Sequence, residues 1–213
     1  MRLVRSIRPL LSFLAIAMLA SLALILQPAA PTQAESDARP ALVSGTYQLD
    51  PNHTSVTFRV LHMGFSRFTG RFDKIEGTMN FNANAPEQSG LDITVYPNSV
   101  NANNVKLEEE LRGDKWFNVL KFQRATFHGV KIERAGPAAA KITGEFTLMG
   151  VTKPLTLDVA LIGSGEHPML KKPVLGFSAT ATIRRSDFGL TNYLPMIGDE
   201  VTLQIETEFN KAD

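Results

Sequence analysis

Residues 142–161 read ITGEFTLMGVTKPLTLDVAL, two alternating runs joined across Gly150-Val151-Thr152-Lys153-Pro154. Ile142, Phe146 and Leu148 share one face of the first run, with Thr143, Glu145 and Thr147 opposite. Leu155, Leu157, Val159 and Leu161 share a face of the second, opposed by Thr156 and Asp158. Side chains in a strand alternate faces, so a period of two with one apolar face predicts a hairpin whose sheet covers a dry space. Function turns on whether that space holds side chains alone or a ligand as well.

The same rhythm recurs along the chain. Further strands are expected at 54–62, 68–81, 91–96, 126–133, 176–184 and 200–209. Val56, Phe58, Val60 and His62 are in phase on the first of these. Phe72 and Met79 lie around Gly70 and Gly77, which suggest bends in one long curved strand. Ile93 and Val95 fall together, and Val201, Leu203, Ile205 and Phe209 oppose Thr202, Gln204, Glu206 and Glu208. The connectors at 82–86, Ala135-Gly136-Pro137 and Gly163-Ser164-Gly165 read as hairpin loops. The stretch 103–112 breaks the pattern, with Leu, Glu and Lys at helical spacing. Gly113 stops it, and Asp114 opens a second short turn carrying Trp116 and Phe117.

About eight strands with short turns describe a sandwich or a barrel. Long alternating strands leave unpaired edges, and closing the sheet removes that liability. The expected fold is therefore all-β, an eight-stranded antiparallel lipocalin-like barrel with a short helical insertion near 103–118. Strands of this length, tilted near 40°, make a barrel roughly 25 Å tall that is filled by side chains or holds one small ligand.

The first 34 residues stand outside that fold. Arg2, Arg5 and Arg8 precede an apolar run from Leu10 to Leu26, and Thr32-Gln33-Ala34 supplies the small residues of a cleavage site. This is the pattern of a signal peptide cut after Ala34, and the run is at the short limit for a membrane anchor. Residues 35–44 make a polar lead-in and 45–210 the barrel. The signal holds three arginines and no acid, so its removal takes the formal net charge from +1 to −2. Such a balance gives no basic face for nucleic acid. There is no cysteine, which excludes thiol catalysis and thiolate metal sites and suits a periplasmic protein held together by packing.

The search for catalytic groups returns little. No G-x-S-x-G elbow, H-E-x-x-H helix or P-loop is present, and Pro168 stands where the third glycine of a dinucleotide fingerprint belongs. His53 and His62 bracket one strand, ~30 Å apart if extended, and His128 and His167 lie elsewhere, so no metal site is expected. His62 reads either as a hydrogen-bonded core histidine or as a polar contact near a lumen end. Glu108-Glu109-Glu110 with Asp114 read as a solvated helical face. Trp116, Phe117 and Phe122 either pack the helix onto the barrel or close its mouth. Arg184-Arg185 with Asp187 reads first as a turn or ion pair, although an arginine there could meet an anionic head group.

Four segments in order resemble the YceI family of periplasmic proteins. They are Tyr47-Gln48-Leu49-Asp50 with His53, Val56-Thr57-Phe58, His62-Met63-Gly64 and Gly70-Arg71-Phe72; Leu111, Asp114 and Trp116-Phe117-Asn118 with Thr126-Phe127; Gly144 to Pro154; and Arg185-Ser186-Asp187-Phe188-Gly189 with Ile197-Gly198-Asp199-Glu200-Val201. Thr54, Glu110 and Phe122-Gln123 depart from the family pattern. The resemblance implies a lipocalin-like barrel that binds a polyisoprenoid or an isoprenoid quinone in its lumen, with no required cofactor and no catalysis. It also implies a membrane b-type cytochrome as a partner; a homodimer stays open. The expected lining is Phe58, Val60, Phe72, Ile93, Val95, Phe146, Leu157, Val159, Phe177, Ala179, Leu203 and Ile205. His62 and Arg185 are the expected head-group contacts, and Trp116 and Phe117 stand at the mouth. Two rivals remain: a redox accessory acting on a bound quinone through His62, and a partner-binding module with a filled core. The small Ala179 and Ala181 favour a hollow.

Overall fold

The computed structural model describes residues 42–213. The expected signal peptide and residues 35–41 of the lead-in lie outside the described residues. Among the described residues there are eleven strands: β1 (Gly45–Leu49), β2 (Ser55–His62), β3 (Ser66–Phe72), β4 (Ile75–Phe81), β5 (Gly90–Val95), β6 (Val100–Asn101), β7 (Ala125–Gly136), β8 (Ala139–Leu148), β9 (Val151–Glu166), β10 (Pro173–Arg184) and β11 (Ile197–Lys211). An α-helix, α1 (Val105–Arg112), stands between β6 and β7.

Antiparallel pairing runs β1-β4-β5-β7-β8-β9-β10-β11 and closes from β11 back to β1. That is the closed eight-stranded barrel. The three remaining strands continue members of the ring past a break. β11 takes β1 at one end, Leu49 opposite Phe209, and β2 along the rest, Val56 opposite Ile205. β3 and β6 extend β4 and β5 in the same way, with Phe72 opposite both Val56 and Val100. The breaks are hydrogen-bonded to each other: Asp73 N donates to Ser99 O at 3.1 Å and Lys74 N to Ser99 Oγ at 2.9 Å.

Three sequence expectations are corrected. The single curved strand over 68–81 is two strands, broken at Asp73-Lys74. The 142–161 hairpin turns at Met149-Gly150, with φ of 54° and 74°, the left-handed pair of a two-residue hairpin loop. Val151 to Pro154 therefore belong to β9, with Lys153 opposite Phe146. Gly163-Ser164-Gly165 is also strand, because β10 pairs along it (Gly165 opposite Val174); the chain turns instead at His167 to Lys172. There the His167 ring accepts from Met169 N and Leu170 N, both at 3.2 Å.

Glycine makes room inside the wall. A Cβ on Gly70 would stand 2.4 Å from Phe58 Cζ, and one on Gly144 2.6 Å from Phe127 Cζ. Each ring lies across a glycine on the neighbouring strand, so the lumen can carry large aromatics without filling.

One end of the barrel is sealed. Tyr47 is fully buried with Leu175, Met79, Phe209 and Ile75 in a single cluster, and the Tyr47 hydroxyl donates to Val43 O at 2.7 Å. The other end carries the β2–β3 turn, α1 with the segment after it, the β8–β9 turn and the loop between β10 and β11.

Candidate functional site: an apolar lumen open at one end

Inward residues of all eight strand paths surround a cavity of about 470 Å³. It runs from Leu49, Met79 and Phe209 above the sealed end to His62, Met63, Glu110 and Tyr193 at the other. The last four are exposed, so the cavity opens between the β2–β3 turn, α1 and the β10–β11 loop. Its volume falls in the ~300–1,000 Å³ range of small-molecule sites.

The expected lining residues, the two expected head-group contacts and Trp116 and Phe117 all lie at this cavity, whereas Phe122 and Ala181 do not. Phe58, Val60 and His62 come from β2, Phe72 from β3, Ile93 and Val95 from β5, and Phe146 from β8. Leu157 and Val159 come from β9, Phe177 and Ala179 from β10, and Leu203 and Ile205 from β11; Trp116, Phe117 and Arg185 stand at the open end. Phe146 faces the lumen and meets the Phe188 ring edge-on at 5.3 Å. Sequence reasoning passed over further lining residues. Thr54, Val56, Phe68, Met79, Leu91 and Phe127 were legible by phase with their neighbours, whereas Met63, Leu107 and Tyr193 lie in turns or on α1, where a period of two gives no signal.

The open end is built around Arg185, which is 3% exposed. Its Nε donates to Gly198 O at 2.8 Å, its Nη1 to Leu190 O, and its Nη2 to Asn192 O at 2.9 Å and Ile197 O at 2.8 Å. Burial lowers its pKa, and the nearby Asp199 charge offsets part of that. The guanidinium is a clasp for the 189–198 loop and also a cation beneath the mouth. Most of its donors are spent on backbone, which narrows its expected role as a head-group contact. Asp187 is not the partner expected for these arginines: Arg184 lies 2.9 Å from Asp199, and Asp187 3.8 Å from Lys153. Burial would raise the Asp199 pKa, but bonds from Ser186 N, Ser186 Oγ and Arg184 outweigh it and hold the group low.

The segment after α1 closes over this clasp. Asn104 caps α1 by accepting from Leu107 N at 3.2 Å, and Glu108 accepts from Ala102 N at 3.0 Å, so Glu108 is structural. Trp116 and Phe117 do both things the sequence left open. They pack on two core clusters and also line the mouth. Trp116 Nε1 donates to Glu110 Oε1 at 3.2 Å, and Phe117 meets Phe72 at 5.5 Å. Phe122 packs toward Gly150 in the β8–β9 turn, away from the lumen. His62 is exposed at the rim rather than buried in the core, which overturns the core-histidine reading.

Comparison with known proteins agrees with this geometry. A family model for the YceI-like domain matches residues 47–209. Protein YceI of Salmonella arizonae is 36% identical over 168 residues, covering 78% of this chain and 87% of the relative. The chain belongs to the YceI-like family. Burkholderia cenocepacia BcnA superposes with a TM-score of 0.69 at 21% identity, over 75% of this chain and 98% of BcnA. A polyisoprenoid binding domain from Saccharophagus degradans gives 0.55 at 16% identity, over 78% of this chain and 98% of that domain.

The YceI-like signature segments fall at structural joints of this barrel. Arg185 and Asp199 hold the mouth loop, Tyr47 seals the far end, and Met149-Gly150 makes the tight turn. Asp50 and His53 clamp the β1–β2 break. His53 Nδ1 lies 3.0 Å from Asp50 Oδ2, and Asn210 Nδ2 donates to the same oxygen at 3.2 Å. With Glu208 these are three groups whose ligand atoms lie within 4.8 Å of one another. They stand on the outer wall, and two N–H donors and the imidazole already occupy the Asp50 carboxylate.

Proposed function

We propose that this protein binds a long apolar isoprenoid lipid, or an isoprenoid quinone, in the barrel lumen, and carries or sequesters it in the periplasm without chemical change. The observation that carries this reading is the cavity: about 470 Å³, walled by apolar side chains from every strand path and sealed at one end. Apolar surface removed from water contributes ~25 cal/mol per Å², so the wall supplies affinity with little preference for one prenyl length. Membership of the YceI-like family and the shared fold with a polyisoprenoid binding domain support the ligand class. Periplasmic location rests on the signal-like first 34 residues. The quinone form, and a membrane b-type cytochrome as its partner, rest on the resemblance alone.

A quinone-handling accessory is the second reading, favoured by His62 at the rim. Against it, no carboxylate pairs with His62 among the described residues, so a base with an orienting partner is lacking there.

Trp116 is the single tryptophan of the chain and lines the mouth, so its emission reports on the site. Titration with a prenylated quinone is expected to quench Trp116 saturably, and His62→Ala to leave that quenching in place. Absence of saturable quenching would refute lumen binding, and quinone turnover abolished by His62→Ala would favour the second reading.

A further inference from the structure

Among the described residues, most exposed large apolar side chains lie in the segments around the cavity mouth; Met169 and Leu170 in the turn between β9 and β10, with Val43, Val130 and Ile162, lie elsewhere. Phe65 is 89% exposed in the β2–β3 turn and Leu120 93% exposed in the segment after α1. Leu61 and Met63 flank Phe65, and Tyr193 and Met196 stand on the facing loop, each about half exposed. The segments are tied to one another: Met63 N donates to Met196 O at 2.7 Å, Trp116 lies against Tyr193 at 6.2 Å, and Asn192 Nδ2 donates to Lys115 O. Met63 and Tyr193 also line the lumen. The rim and the cavity wall thus share Met63 and Tyr193, and apolar surface runs from one to the other past His62 and Glu110.

Unpaired cations are also commoner around the mouth than elsewhere. Among the described residues, the exposed or half-buried lysines and arginines in no ion pair are Arg67, Lys106, Lys115, Lys121 and Arg124, in the mouth segments or the strand that leaves them, and Arg59, Arg134 and Lys211, on strands away from them. Arg67 pairs across from Leu61, one turn below Phe65. The exposed acids in the mouth segments are Glu109, Glu110, Asp114 and Asp187, with Glu110 engaged by Trp116 and Asp187 by Lys153. Toward the sealed end Lys171 pairs with Glu166 and Lys172 with Asp213, while Lys211, opposite Tyr47, is in no ion pair. Protruding aromatic and aliphatic tips ringed by free cations are the side-chain set of an interfacial membrane contact, where the tips enter the acyl boundary and the cations meet anionic head groups.

We propose that the open end of the barrel docks on an anionic lipid bilayer, with Phe65 and Leu120 as its inserting tips and the lumen facing the membrane. This deepens the lipid-binding reading, because a water-insoluble ligand then passes between bilayer and lumen along a mostly apolar surface. A mouth turned to solvent would expose the ligand's tail at every transfer.

Vesicle co-sedimentation tests the proposal, using phosphatidylcholine vesicles with and without phosphatidylglycerol. The wild-type protein is expected to bind the mixed vesicles, more weakly the neutral ones, and less as salt rises. Phe65→Ser with Leu120→Ser is expected to lower partitioning at least about tenfold, since burying either side chain is worth about a decade in an equilibrium constant. Both positions are almost fully exposed, so the variant folds; an unchanged urea midpoint checks this. Equal sedimentation of wild type and variant overturns the proposal. So does a dimer that depends on Phe65 and Leu120 in the absence of vesicle binding, which assigns the patch to a second copy. Quenching of Trp116 by quinone added from detergent is expected to be the same in both proteins. Loss of that quenching in the wild type would count against the ligand alone, whereas sedimentation decides the docking face.

Discussion

The Arg185 guanidinium lies 5.6 Å from the centre of the Trp116 ring, and through this contact the β10–β11 loop and the segment after α1 share one support. A cation over an indole face is attracted by the ring quadrupole, more strongly where water is excluded. Arg185 also bonds four backbone carbonyls. The mouth of the lumen is therefore held open by a single buried side chain, placed by the strand that precedes it.

Arg185→Met is expected to destabilise the protein by about 3 kcal/mol or more, because it leaves several buried carbonyls without donors. Arg185→Lys keeps the charge and loses the planar fork, so it restores only part of that loss. Urea denaturation measures both. A Met variant within about 0.5 kcal/mol of wild type would show that the loop holds itself.

Gly70→Ala is expected to cost about 1–3 kcal/mol by pushing the Phe58 ring from its place across β3. The ring is hemmed in by Phe68 and Phe72, at 6.4 and 5.5 Å, so it has little room to yield. Phe58→Ala in the same chain removes the clash. The two changes together should then be less destabilising than the sum of the single ones, and strict additivity would speak against the contact.

Two outer-wall histidines give the stability a pH dependence of known sign. His53 is raised above its ordinary 6.5 by the hydrogen bond and charge of Asp50, and His128 likewise by Asp92. A raised histidine stabilises fully below its unfolded pKa, and that contribution disappears as pH climbs through the folded value. Burial would raise Asp50 itself, but the bonds from His53, Asn52 N and Asn210 outweigh it and hold the group low. Its contribution is present above 3.8 and disappears as pH falls through the folded value. His53→Gln with His128→Gln should therefore lower the urea midpoint more at pH 6 than at pH 8.5. A pH-independent difference would contradict the pairing.

Much of the fold was legible because it rests on alternation. Phe146, Val159 and Leu203 could be put on one wall from period alone. The broken strands were not, since Asp73-Lys74 interrupts β3 and β4 only because Ser99 on the neighbouring path takes its donors. Gly163-Ser164-Gly165 misled for the same reason: glycines that read as a loop are strand when a partner strand pairs along them. His62 was ambiguous because phase gives a face and says nothing of depth, and the open end left it exposed. Arg185 was foreseen as a turn residue; its four carbonyl partners are set by a loop whose path no local pattern encodes.

Val159→Glu puts a carboxylate on the lumen wall, opposite Ala140 and Ala179 on the flanking strands. It is expected to abolish retention of an apolar ligand while lowering stability by about 1–3 kcal/mol. Phe146→Asp should act alike. Unchanged lipid content in either purified variant would remove the lumen from the account.

The most direct test is solvent extraction of the protein purified from its native host, followed by mass spectrometry of the extract. The account predicts an isoprenoid lipid or quinone near one mole per mole of barrel, with mixed prenyl lengths, and its absence from a Val159→Glu preparation. An extract empty of apolar molecules, or the same lipid recovered in equal amount from the variant, would contradict it.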